Sequence, residues 1–135
     1  MRRGKKMKKA KTVLLVDDES PWLEVISMAL EDEAFKVITA DSGEAALKKL
    51  KSRKPDLILS DVRMPNMNGF DLYEKVRSNP KLKKIPYVFM SSLDDYDAKR
   101  VAQELGADDY VAKPFDTNEV KTIVLDLLSR FKEKQ

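Results

Sequence analysis

Short apolar runs alternate along this chain with longer segments in which apolar residues recur at every third or fourth position. The short runs, rich in β-branched residues, read as strands; the wider spacing reads as helices with one buried face. Thr12 to Val16 is the first strand. After it Ser20 is expected to cap a helix, with Pro21 at the first helical position and Trp22, Val25, Ile26, Ala29 and Leu30 on its apolar face. Lys36 to Thr39 is the second strand, and Ser42 is placed to cap a helix that buries Ala46, Leu47 and Leu50. Leu57 to Ser60 is the third strand, followed by a helix from about Phe70 to Ser78 that buries Leu72, Tyr73 and Val76 and stops at Asn79-Pro80. Pro86 to Met90 is the fourth strand, and Ala98, Val101, Ala102 and Leu105 mark the fourth helix, with Gly106 where a left-handed C-cap is wanted. Tyr110 to Ala112 is the last strand, before a long helix with Val120, Ile123, Val124, Leu127, Leu128 and Phe131 on one face. Five uninterrupted repeats of strand then helix predict an α/β fold: a parallel sheet buried on both sides by helices.

What stands at the strand ends turns this fold towards chemistry. The first strand ends in Asp17 and Asp18, the third in Asp61, the fourth in Ser91 and the fifth in Lys113. Right-handed crossovers put all these ends on one edge of the sheet, and ligands in such folds sit at that edge. Asp61 alone would read first as a capping or turn residue, and only its company at the other strand ends overturns that. If strands one, three, four and five are neighbours, three carboxylates, a hydroxyl and an ammonium converge. Crowded carboxylates repel one another, and a hard divalent cation with oxygen ligands, Mg2+, relieves that repulsion. Such an ion lets the Asp61 carboxylate attack a phosphoryl group, with Lys113 and Ser91 as donors to the remaining phosphoryl oxygens. The expected product is an aspartyl phosphate.

Composition narrows the alternatives. The chain has 135 residues, the size of one domain, and neither cysteine nor histidine, which excludes thiol catalysis, zinc-thiolate sites and a histidine general base. No apolar run approaches the roughly 20 residues that span a membrane, and no secretory signal is evident. The net charge of +3 hides an asymmetry: Arg2, Arg3, Lys5, Lys6, Lys8 and Lys9 crowd the start. Without those six of the 26 basic residues, the 23 acidic ones are in excess by three. Residues 1–10 are therefore expected to be a basic, disordered tail, and 11–134 the folded domain. A basic tail can touch nucleic acid non-specifically, but no reading module accompanies it, so no specific nucleic-acid binding is expected.

The ordered set Val16-Asp17-Asp18, Asp61-Val62-Arg63-Met64-Pro65-Asn66-Met67-Asn68-Gly69, Ser91, Gly106-Ala107-Asp108-Asp109-Tyr110 and Lys113-Pro114-Phe115 resembles the receiver domain of two-component response regulators. The resemblance runs from Thr12 to about Phe131. It implies a flavodoxin-like (βα)5 sheet of strand order 2-1-3-4-5 and Asp61 as phosphoacceptor. It also implies Mg2+ held by Asp18, Asp61 and the backbone carbonyl of Arg63, with Asp17 acting through water. Lys113 would pair with the phosphoryl group, across a cis bond to Pro114. Ser91 and Tyr110 would be switch residues that alter the face made by the fourth helix, fifth strand and fifth helix. Such a domain is a phosphoprotein of phosphorelay signal transduction rather than an enzyme, with at most slow self-phosphorylation from small donors and slow self-dephosphorylation. It is expected in the cytoplasm, as a monomer, between a sensor histidine kinase or histidine phosphotransfer protein and a downstream target or output domain.

Several residues have plainer readings. Spacing from Lys113 favours Ser91 over its neighbour Ser92 as the functional hydroxyl, and Met64 and Met67 read as loop packing. Trp22 reads as core-facing beside the acidic pocket. Asp95 and Ile123 stand where the winged-helix regulators carry basic residues for dimerisation, which argues against that dimer. A haloacid-dehalogenase-type phosphatase also uses an aspartyl nucleophile after a strand, but needs a second acid where this chain has Arg63. A receiver-shaped interaction module that is never phosphorylated is the remaining alternative; the full set Asp17, Asp18, Asp61, Ser91 and Lys113 argues against it.

Overall fold

The computed structural model describes residues 10–133, with side chains to residue 130. The basic segment expected to be a disordered tail (apart from Ala10) and the expected burial of Phe131 fall outside the described residues. Five strands alternate with five helices: β1 (Thr12–Val16), α1 (Ser20–Asp32), β2 (Lys36–Ala40), α2 (Gly43–Leu50), β3 (Leu57–Asp61), α3 (Gly69–Ser78), β4 (Tyr87–Ser92), α4 (Tyr96–Leu105), β5 (Asp109–Lys113) and α5 (Thr117–Glu133). All strand pairs are parallel, in the order β2-β1-β3-β4-β5. Four strands, β2 to β5, run further than their apolar runs suggested, so that Asp61, Ser91 and Lys113 are themselves strand residues.

Alternation along the strands divides the core into two layers. Leu14, Val16, Ile58, Tyr87 and Phe89 face α2, α3 and α4, joining Ala46, Leu50, Leu72, Tyr73, Val76, Ala98 and Ala102. Val13, Leu15, Leu57, Leu59, Val88, Met90 and Val111 face α1 and α5, joining Ile26, Leu30, Val120, Val124 and Leu127. The first layer is held by aromatic pairs: Tyr73, Tyr87 and Phe89 lie with ring centroids 4.8 to 5.4 Å apart. Each fully buried Leu, Ile or Phe here contributes about 1.5–3 kcal/mol relative to exposure. The edge of the sheet opposite the site is pinned by two carboxylates. Asp56 accepts the Thr12 N–H at 2.7 Å, and Asp108 accepts the Tyr87 N–H at 2.8 Å and pairs with Arg77.

Two expectations about α1 are corrected. Ser20 is not its cap: Glu19 occupies that position without a side-chain cap bond, and Ser20 is the first helical residue. The N–H groups of Trp22 and Leu23 in the first turn bond the Glu19 carbonyl at 3.0 and 3.3 Å, and Asp17 Oδ1 accepts the N–H of Glu19 itself at 3.0 Å. Val25, assigned to the buried face, is 47% exposed, because Ile26, Ala29 and Leu30 already fill the contact with the sheet and α5. Ser42 caps α2 as expected, its Oγ accepting the Ala45 N–H at 3.0 Å. Helix α3 opens with a capping box that is legible in the sequence: the Asn68 side chain accepts the Asp71 N–H and Asp71 accepts that of Asn68.

Candidate functional site

The strand order makes β1 the point where the chain reverses its direction of travel across the sheet, and the ends of β1, β3, β4 and β5 converge there. They line a cavity of about 220 Å3 bounded by Asp18, Glu19, Asp61, Arg63, Ser91, Ser92 and Lys113. The β3–α3 loop that carries Arg63 is held tight against the strand. Gly69 donates its N–H to the Val62 carbonyl at 2.9 Å, and a Cβ at Gly69 would lie 2.3 Å from the Asp61 carbonyl oxygen. The atoms it would meet, from Asp61 and Val62, are all backbone and cannot yield, so only glycine fits. The Tyr87 hydroxyl closes the arrangement by donating to the Gly69 carbonyl at 3.0 Å.

Asp17 is fully buried, and its Oδ2 accepts a 2.6 Å hydrogen bond from Lys113 Nζ. The same ammonium lies 3.3 Å from Glu19 and 3.7 Å from Asp61 Oδ1. Asp61 is buried and accepts the N–H of Val62 at 3.0 Å. Burial, reinforced by the Asp17 carboxylate, pushes the Asp61 carboxyl up to about 7, against the opposing pull of Lys113. Burial also raises Asp17, with Lys113 pulling the other way. For Lys113 burial favours the neutral amine, but the hydrogen bond to Asp17 and the charges of Asp61 and Asp17 outweigh it and raise the ammonium above its ordinary value. The Lys113–Pro114 bond is cis.

The expected site residues thus meet, with two shifts of emphasis. One carboxylate oxygen from each of Asp17, Glu19 and Asp61 lies within 4.8 Å of the others. Glu19 was passed over in the sequence, although an acid directly after the Asp pair was there to be noticed; Asp18 lines the cavity but stands outside this closest group. The donor set is all oxygen and under mutual repulsion, with one ammonium against three carboxylates, and this fits a hard divalent cation. Ser91 is buried whereas Ser92 is exposed, in line with the preference for Ser91. Its hydroxyl donates to Asp95 Oδ2 at 2.7 Å. Asp95 also takes a two-pronged bond from Arg63, at 2.7 and 2.9 Å, and the Arg63 guanidinium holds the Asp95 carboxyl well below the usual carboxylate range. Tyr110 is half-buried, with its hydroxyl unpartnered among the described residues. Trp22 packs on Phe115, ring centroids 4.9 Å apart, with Lys113 Nζ 5.0 Å from its ring centre.

Fold and site together define a doubly wound α/β module with an acidic, lysine-bearing pocket at its topological switch point, of the kind that receives phosphoryl groups. Residues 13–125 match the response regulator receiver domain family, and the chain belongs to it. It is 38% identical over 120 residues to the alkaline phosphatase synthesis transcriptional regulatory protein PhoP of Bacillus subtilis, covering 89% of this chain and 49% of that protein. The phosphate regulon transcriptional regulatory protein PhoB of Pseudomonas aeruginosa is 35% identical, over 89% of this chain and 52% of its own length. The chain therefore spans about half the length of these curated relatives. Among solved structures, a putative response regulator from Chloroflexus aurantiacus is similar with a TM-score of 0.85 and 35% identity, covering 90% of this chain and 99% of that one. The receiver domain of a signal transduction histidine kinase from Syntrophus aciditrophicus gives 0.82 and 32%, covering 89% and 91%. Accepting a phosphoryl group is the function of this family.

Proposed function

We propose that this chain accepts a phosphoryl group on Asp61 from the phosphohistidine of a sensor kinase or histidine phosphotransfer protein, and passes the change to a downstream target or output domain. The observation that carries the reading is the convergence of the Asp61 carboxylate, the acidic pair Asp17 and Glu19, and Lys113 Nζ in one pocket. In the transfer an Asp61 oxygen bonds to phosphorus as the phosphorus–nitrogen bond of the donor breaks. The electron pair returns to the imidazole nitrogen, which takes up a proton from water. Attack requires the ionised carboxylate, and Lys113 favours that form. Asp17, Asp18, Glu19 and Asp61, with the Arg63 carbonyl, are the oxygens available to Mg2+. Bound there, the ion supplies the positive charge that offsets repulsion between carboxylates and phosphoryl oxygens. Lys113 then has a second anion to bond, and the Ser91 hydroxyl supplies a further donor.

The domain acts stoichiometrically, with slow self-phosphorylation and self-dephosphorylation as its own chemistry. It works in the cytoplasm as a monomer before phosphorylation, and light scattering at micromolar concentration is expected to return the mass of one chain. Among the described residues no helix is long and apolar enough to cross a membrane. Intact mass after incubation with acetyl phosphate and Mg2+ tests the central step. One phosphoryl adduct is expected on the native chain, and none on Asp61→Asn or in chelator. An adduct that survives Asp61→Asn would place the acceptor elsewhere.

A further inference from the structure

Asp95 is the N-cap of α4 and makes four hydrogen bonds across three elements. Its Oδ2 accepts from Arg63 Nε and from the Ser91 hydroxyl, both at 2.7 Å. Its Oδ1 accepts from Arg63 Nη2 at 2.9 Å and from the Ala98 N–H at 3.2 Å. Arg63 lies two residues beyond Asp61 on the β3–α3 loop, and Ser91 on β4 lines the same cavity. The Asp95 side chain is only 13% exposed, although the Arg63 side chain that grips it is 59% exposed. A forked guanidinium–carboxylate pair of this kind fixes direction as well as distance.

A serine hydroxyl has one proton to give. While it is given to Asp95 it is not available to an anion on Asp61. We propose that Asp95 is a positioning residue for the phosphoryl site: anchored by Arg63, it holds the Ser91 hydroxyl away from Asp61 and ties that arrangement to the first turn of α4. The inference rests on the reading of Asp61 as phosphoacceptor and adds to it the group that restrains the serine beforehand. A phosphoryl group on Asp61 competes with Asp95 for a single proton. When Ser91 leaves, Asp95 loses one of its four partners and the start of α4 loses a tether to β4. Tyr110, on the neighbouring strand β5, has a buried hydroxyl with no hydrogen-bond partner among the described residues.

Asp95→Asn separates this role from helix capping, because Asn caps about as well as Asp while surrendering the charge that grips Arg63 and Ser91. In the unphosphorylated protein, Hα–Hβ couplings of Ser91 measured by NMR are expected to show a second rotamer in Asp95→Asn and in Arg63→Ala that is absent from the native chain. With acetyl phosphate and Mg2+, Asp95→Asn is expected to phosphorylate roughly fivefold faster, the difference between a charge-assisted and a neutral hydrogen bond. That gain is expected to vanish when Asp95→Asn is compared with native Asp95 in a Ser91→Ala background. Unchanged Ser91 couplings in Asp95→Asn, or a rate gain that persists in full without the Ser91 hydroxyl, overturns the proposal. A rotamer shift in a protein that takes up no phosphoryl group supports the restraint and sinks the phosphoacceptor reading instead.

Discussion

Burial and the Asp17 carboxylate push Asp61 up to about 7, so the folded protein holds a proton on this group that the unfolded chain, at an ordinary 3.8, has already released. Between about pH 4 and 7 the folded state therefore binds more protons, and metal-free stability falls as pH rises through that window. Above it the whole cost of the buried charge is present. Asp61→Asn removes the charge with little change of shape, and is expected to stabilise the metal-free protein at pH 8 by roughly 1–3 kcal/mol. Thermal melts in chelator check this: the gap between variant and native chain should be wide at pH 8, narrow at pH 5, and reduced by Mg2+ at pH 8. An equal gap at both pH values would mean that Asp61 titrates normally. At this scale the sequence named Asp17, Asp18, Asp61, Ser91 and Lys113 from residue type and strand position alone. It could not reveal that Lys113 already bonds Asp17, or that Asp95 grips Arg63 and Ser91. The Lys113–Asp17 and Arg63–Asp95 partners stand 96 and 32 residues apart and meet only through tertiary packing, whereas Ser91 and Asp95, 4 apart, meet across the turn between β4 and α4.

The two helices α1 and α4 end in the same way on different residues. At α4 the Gly106 N–H bonds the Gln103 carbonyl and the Ala107 N–H that of Ala102, with Gly106 at φ 81°. At α1 the Ala34 N–H bonds Glu31 and the Phe35 N–H bonds Leu30, with Ala34 at φ 67°. This pair of bonds closes a helix through one left-handed residue, where glycine is at ease and alanine strained by roughly 1 kcal/mol. Ala34→Gly is thus expected to stabilise the protein by a few tenths to 1 kcal/mol, and Gly106→Ala to destabilise it by about 1 kcal/mol. A Cβ at Gly106 would meet nothing within 4 Å, so the second effect isolates the backbone. Urea denaturation of both variants checks the opposite signs. Glycine announced the end of α4, whereas nothing about alanine announces the end of α1. The Asn68–Asp71 box is legible as a pattern, whereas Ser20 does not cap α1 because the helix begins at Ser20 itself, with Glu19 in the cap position.

Across the whole molecule, the alternation of short apolar runs with segments of three-to-four spacing determined the layers, and the resemblance supplied the strand order; both agree with the structure. Metal binding should be visible from the second core layer. Trp22 lies against Phe115 and near Lys113, so drawing Lys113 off Asp17 changes the field at the indole. Titration with Mg2+ is expected to shift or quench Trp22 emission in a saturable way in the native chain, and much more weakly in Asp61→Asn. The carboxylates of Asp56 and Asp108 hold the starts of β1 and β4, a full strand length from the pocket. Their edge of the sheet carries architecture and the other carries chemistry. Substitutions that firm up the first can accumulate without disturbing the second, which leaves such a scaffold unusually free to drift towards new partners while its reactive pocket is kept.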